Sequence, residues 1–214
     1  MARHKQRKFA ELATLDNFYF QPENMQGKWN SLCFKNINPI VLELGCGKGE
    51  YTNNLGAKFP DKNFIGIDLK GVRLWRAAKN ALDNKLNNVA FLQINIDNIE
   101  DYFAVEEVSE IWIPFPDPYP KPSKWKKRLI SSKFLNKYKT ILQQKGIVHF
   151  KTDNTPLFEF AKETLDKDKH SILQITDNLH ESDLLNEYNS IPTYFEGLFR
   201  DKGETIKYIK FQLK

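Results

Sequence analysis

The chain has 214 residues, 41% of them hydrophobic, which is enough for one good core and a single domain, and it carries a net charge of +5. No apolar run approaches the roughly 20 residues that cross a bilayer, and no secretory h-region follows the N-terminus, so the expected compartment is the cytoplasm, with no membrane partner. Two cysteines without a CxxC spacing and four scattered histidines indicate neither a disulfide framework nor a metal site.

Residues 1–28 open with Met-Ala-Arg-His-Lys-Gln-Arg-Lys and lack apolar periodicity, which predicts a flexible basic arm ahead of one domain over 29–214. Short apolar runs then alternate with longer segments. The candidate strands are 40–44, 64–68, 89–94, 111–113, 147–150, 172–175 and 206–213. Val72, Leu74, Trp75, Ala78, Ala81, Leu82 and Leu86 recur three or four apart, as one buried helix face requires. Further helices fit 50–58, 132–143 and 155–165. This alternation predicts an α/β fold with a seven-stranded, mostly parallel sheet covered by helices on both faces. Lys207 and Lys210 among the last apolar residues mark an edge or antiparallel C-terminal strand.

Five of the ten prolines fall within Pro114-Phe115-Pro116-Asp117-Pro118-Tyr119-Pro120-Lys121-Pro122. Alternate prolines fix φ and remove N–H donors, so this stretch reads as a stiff, extended rail presenting Asp117. Behind it, residues 118–152 hold ten cations and no acid, and Arg3, Lys5, Arg7 and Lys8 add four more. The rest of the chain holds 18 cations against 27 acids. Such polarisation suits a polyanion gripped on one face, while a merely solvating lysine face is the competing reading.

Directly after the first candidate strand comes Glu43-Leu44-Gly45-Cys46-Gly47-Lys48-Gly49-Glu50, and the second ends in Asp68. Strand, glycine loop, helix, strand and acid form a nucleotide-binding arrangement, in which glycines such as Gly45 admit a ligand close to the backbone and Asp68 suits a ribose diol. Glu43, Glu50 and Asp68 would repel the pyrophosphate of NAD, and the spacing fails both GxGxxG and the P-loop. A phosphate-free, cationic cofactor fits better. S-adenosylmethionine carries a sulfonium and an ammonium.

With ELGCGKG, PFPDPYPK, Lys151-Thr152-Asp153-Asn154 and Thr193-Tyr194-Phe195-Glu196 in this order, the chain resembles the bacterial tRNA (guanine-N7)-methyltransferase family over nearly its whole length. The resemblance implies a Rossmann-like class I fold and methylation, with S-adenosylmethionine, of N7 of a guanosine in the tRNA variable loop. It implies cofactor contacts from Glu43, Asp68, Asn95 and Asp117, and substrate contacts from Lys121, Asp153, Thr193, Tyr194, Phe195 and Glu196. Asp97 competes with Asn95, being two residues on and facing the same way in an extended strand. Tyr119 stands where the family usually has Trp, and Pro122-Ser123-Lys124-Trp125 interrupts its basic run.

Guanine N7 already carries a lone pair and needs no general base, so positioning dominates and nearby carboxylates offset the charge developing on the purine. Asp117, Asp153 and Glu196 are the candidate acids. Lys124, Lys126, Lys127 and Arg128 are expected along the RNA backbone, and Trp125 either stacks on a base or packs onto the sheet. Two other readings remain: another S-adenosylmethionine-dependent RNA N-methyltransferase, since Asp-Pro-Tyr is similar to the element of exocyclic-amine enzymes, and a noncatalytic RNA-binding module. Monomer and homodimer are equally compatible with the sequence.

Overall fold

The computed structural model describes residues 2–214, with side chains from residue 6 onward except that of Phe195. Eight strands form one sheet: β1 (Phe18–Phe20), β2 (Ile40–Leu44), β3 (Asn63–Asp68), β4 (Val89–Gln93), β5 (Val108–Pro114), β6 (Leu142–Thr152), β7 (Ser171–Thr176) and β8 (Lys207–Gln212). Their spatial order is β1-β4-β3-β2-β5-β6-β8-β7. Strands β1 to β6 pair in parallel, and β8 runs antiparallel to both β6 and β7. The helices are α1 (Ala2–Leu12), α2 (Glu50–Lys58), α3 (Gly71–Asp83), α4 (Ser132–Ile141), α5 (Thr155–Lys167) and α6 (Tyr194–Asp201).

Alternation along the central strands divides the core between the two faces. Leu42, Leu44, Ile65, Ile67, Ile111 and Ile113 pack with Phe134 and Tyr138 of α4 and Leu157 and Phe158 of α5. Val41, Phe64, Phe91 and Trp112 face the other way, onto Tyr51 and Leu55 of α2 and Leu74, Ala77, Ala78 and Ala81 of α3. Burial on both faces is why β2, β3 and β4 read as continuous apolar runs. No helix among the described residues is long and apolar enough to cross a membrane.

The structure departs from the sequence expectations at the N-terminal end of the chain and bears out the antiparallel strand at the C-terminal end. The expected flexible arm instead contains α1 and β1, which makes the sheet eight-stranded. Leu12 is buried against the face of α3, Glu11 accepts hydrogen bonds from Trp75 Nε1 (3.0 Å) and Lys79 (2.8 Å), and Lys8 lies over the Trp75 ring. Three-residue β1 is held by its pairing with β4. Only Phe9 and Leu12 mark the apolar stripe of α1, too few to register as a period. At the other end, β8 is antiparallel but interior, and the edge is β7, with Ile172, Leu173 and Ile175 exposed. Lys207 is buried because its ammonium donates to the carbonyls of Asp153 and Thr205 and to Thr205 Oγ1.

The chain leaves β2 outward through β3 and β4, then resumes on the opposite side with β5 and β6. Strand order therefore reverses between β2 and β5, and the crevice beyond their C-terminal ends is where open α/β sheets bind ligands.

Candidate active site

The loop after β2 supplies the first wall of this crevice. Gly45, Gly47 and Gly49 all have positive φ (79°, 56° and 70°), a region L side chains rarely adopt. A Cβ on Gly49 would stand 2.6 Å from Ala77 Cβ and 2.8 Å from the Phe91 ring, so this glycine seats the loop against α3. At Gly45 and Gly47 a Cβ would meet nothing within 4 Å. The loop backbone thus borders open space, as a cradle for a cofactor needs.

Carboxylates surround that space. Asp68, at the end of β3, accepts from the backbone N–H groups of Gly47 (2.9 Å) and Lys70 (2.7 Å), which ties the glycine loop to the start of α3 and leaves further lone pairs available. Glu43 is buried and takes the backbone N–H of Thr52 (2.8 Å) and its hydroxyl on one oxygen. Burial pushes the Glu43 carboxyl up to about 8, with the Thr52 bonds opposing the shift. Glu50 in the first turn of α2 accepts from the N–H of Tyr194 (2.7 Å) and so links α2 to α6. A cluster of acids around a glycine cradle fits S-adenosylmethionine and opposes a diphosphate.

Beyond β4, Asn95 is exposed and accepts from the N–H of Asp97 (3.1 Å), whereas the Asp97 carboxylate is held by Lys133 of α4. Asn95 is the less encumbered of the two.

The proline segment follows β5 and is not a uniform extended rail. Phe115 and Tyr119 have φ of 49° and 40°, so the segment bends on either side of Asp117. Bulky residues in that region cost on the order of 1–3 kcal/mol each and persist only where the surroundings impose them. Arg128 supplies the constraint. Its Nε donates to the Pro118 carbonyl (2.9 Å) and its Nη2 to that of Tyr119 (3.3 Å), while the guanidinium lies 4.9 Å from the Trp125 ring centre and 4.3 Å from that of Phe160. Arg128 is 4% exposed, which corrects its expected place along the RNA backbone. Asp117 itself is exposed. Lys121, Lys124, Lys126 and Lys127 are also exposed, on the turn Pro122–Lys127 and just before it, with no ion pair among the described residues.

The sixth strand ends in Lys151 and Thr152, followed by half-buried Asp153, whose carboxyl is pushed up mainly by burial. Glu196 does not reach this opening as expected. It is 1% exposed, pairing with buried Lys151 (2.9 Å) and with His180 Nε2 (2.8 Å), and Lys151 also donates to the Asn189 carbonyl (2.7 Å). Burial lowers the Lys151 pKa while Glu196 works against that shift. Thr193 caps α6 by accepting from the Glu196 N–H (3.1 Å), and Tyr194 lies on the surface beside Lys48. The side chain of Phe195 lies outside the described residues. Sequence reasoning missed Thr52, His180 and the structural use of Arg128 and Lys151. Their partners lie at separations from 9 to 45 residues, which no local pattern announces. Among the described residues no group of three or more His, Cys, Asp or Glu could hold a metal ion.

Comparison with known proteins agrees with this geometry. Residues 37–209 match a family model described as a putative methyltransferase. The chain is similar to a tRNA (guanine-N(7)-)-methyltransferase of Bacteroides fragilis, at 45% identity over 100% of this chain and 87% of the relative. A protein of the same name from Christiangramia forsetii is 44% identical over 100% and 99%. Among solved structures, the 16S rRNA methyltransferase KamB superposes with a TM-score of 0.68, covering 91% of this chain and 95% of that one at 14% identity, a likeness of fold. The sheet with its antiparallel C-terminal strands, the acid-lined glycine loop and the full-length relatives converge: the chain belongs to the tRNA (guanine-N(7)-)-methyltransferase family.

Proposed function

We propose that this protein transfers a methyl group from S-adenosylmethionine to N7 of a guanosine in the variable loop of tRNA, acting in the cytoplasm through one catalytic domain that takes in β1 and α1 as well as residues 29–214. Bound at the glycine loop, S-adenosylmethionine supplies an electrophilic methyl carbon. Gly45 and Gly47 give it room, Glu43 and Asp68 offset its cationic charge and accept from its ribose, and Asn95 takes its base end.

The guanine needs orientation rather than proton removal, because N7 presents a lone pair in the neutral base. Asp117 lies in the loop that leads from the end of β5 to the lysine turn, and in this reading its carboxylate accepts from the guanine N1–H and amine and stabilises the positive charge that develops on the ring. Asp153, at the end of the neighbouring strand, is the second acceptor. Lys121, Lys124, Lys126 and Lys127 hold phosphates, positioning the RNA without reading its sequence. Glu196 acts at one remove, by seating α6 on Lys151.

The observation that carries this reading is an exposed Asp117 in a loop clamped by Arg128, which follows β5 at the strand-order reversal and leads into a turn of exposed lysines. Incubation with labelled S-adenosylmethionine and unmodified tRNA tests it. Borohydride and aniline cleavage at one labelled guanosine is the expected outcome, whereas label in N6-methyladenosine would select the exocyclic-amine reading. Asp117→Asn should lower kcat at least about 100-fold, as loss of a group that stabilises developing charge does.

A further inference from the structure

A groove of about 400 Å³ opens between the proline segment and α5. It is lined by Pro118, Pro120 and Pro156 together with Trp125, Phe160 and Arg128. Trp125 remains 41% exposed although it packs edge-to-face with Phe160, ring centroids 5.6 Å apart, so it packs on α5 rather than onto the sheet. On the rim, Glu159 and Glu163 lie one turn apart on α5, and Glu159 is already paired with Lys162. The lysine turn that presents Lys121, Lys124, Lys126 and Lys127 adjoins the groove through Trp125.

We propose that this groove is a second nucleobase subsite, taking an unpaired base of the tRNA near the methylated guanosine. The inference rests on the tRNA reading above and goes beyond it. Each part of the lining answers one part of a nucleotide. Proline rings and the exposed part of the Trp125 indole suit the π-face of a base, and Arg128 holds that indole in place from behind. The Glu163 carboxylate can accept from an exocyclic amine, which favours adenine, cytosine or guanine over uracil. Negative charge on the rim repels a phosphate from the groove itself, and the adjacent lysines attract it just outside. The strand would therefore run its backbone along the lysine turn and turn one base inward. The prolines and the Arg128 clamp shape the groove in advance, so little ordering accompanies entry.

Tryptophan fluorescence and equilibrium binding test the proposal with the full chain. Trp29 and Trp112 are buried and Trp75 is half-buried on α3, so the signal is the quenching present in wild type and absent in Trp125→Phe, as a base stacking on Trp125 predicts. Unmodified tRNA is expected to produce this Trp125-dependent quenching, and heparin, a polyanion without bases, is expected not to. Trp125→Ala should weaken tRNA binding roughly 5- to 100-fold, the range for one base–aromatic stack, with the salt slope unchanged because no phosphate contact is lost. Trp125→Phe should retain most of the affinity, and thermal melts of both variants check that the fold persists. If tRNA binds normally but Trp125 is not quenched, or if Trp125→Ala leaves affinity intact, the subsite is overturned while the tRNA reading stands. Quenching that follows protein concentration in the absence of RNA would assign the groove to a second copy of the chain and overturn it too. Absence of any tRNA binding overturns both readings.

Discussion

The Arg128 guanidinium lies against the rings of both Trp125 and Phe160 and donates to the carbonyls of Pro118 and Tyr119, so one side chain fastens the loop that carries Asp117. Planarity and the fork of donors matter here, and lysine provides neither. Arg128→Lys is expected to lower kcat roughly 10- to 100-fold, the scale of a displacement of about 1 Å in a reacting group. An RNA-contacting arginine would behave oppositely, since lysine would preserve rate and the substitution would act on binding. Measuring kcat beside the salt slope of tRNA affinity separates the two. Glu43 makes a second residue-level case. Its folded pKa of about 8 exceeds the unfolded carboxylate value, so the native state binds the extra proton between roughly pH 4.5 and 8. Stability from this group is present at low pH and is lost as pH rises through that window. Glu43→Gln should therefore raise Tm relative to wild type at pH 8, with the difference shrinking towards pH 5. A cationic cofactor reverses the preference, so its binding at pH 7 should release a proton in wild type and none in Glu43→Gln. Calorimetry in buffers of different ionisation enthalpy reads that proton.

At the scale of elements, α6 is a short helix held to the sheet by charge as well as by packing. Lys151 on β6 and His180 before α6 converge on Glu196, while Glu50 of α2 takes the N–H of Tyr194. A buried pair of this kind adds little net stability over apolar packing, but removing one member strands the other. Glu196→Gln leaves the Lys151 ammonium without its counter-charge and should cost about 3–5 kcal/mol, measured by urea unfolding. Cofactor affinity should fall less than activity, because the proposed function sets α6 against the RNA rather than the cofactor. Strands β2, β3 and β4 were legible in sequence because burial on both faces demands unbroken apolar runs. By contrast, β1 and α1 were not, since each depends on a partner: three residues of β1 paired with β4, and Leu12 and Glu11 of α1 docked on α3, Glu11 through Lys79.

Across the whole molecule, the ten cations between residues 118 and 152 do not form one face. Arg128 and Lys151 are buried, Lys133 and Lys137 are paired with Asp97 and Glu100, and the exposed cluster contracts to Lys121, Lys124, Lys126 and Lys127. Replacing Lys124, Lys126 and Lys127 together by Gln should flatten the salt dependence of tRNA affinity by roughly 0.7–0.9 log units per lost phosphate contact. The same change at Lys139 and Lys145, exposed in the same stretch but outside that turn, should leave the slope near wild type. Filter binding from low to moderate salt distinguishes the two triplet and doublet variants.

Sequence by itself determined the α/β class, the interior strands, the acid-lined glycine loop and the proline segment with its single carboxylate. Each of these is written in adjacent residues or in a short period, where local sterics and burial act directly on the chain. Tertiary structure alone decided which charges are available to a ligand. Lys137 meets Glu100, Lys151 meets Glu196 and Arg128 meets two ring faces, and a charge count along the chain cannot distinguish a cation facing water from one enclosed by distant partners. The physical reason is that a long basic side chain keeps its charge wherever it lies, while its environment is set by elements that meet only after folding.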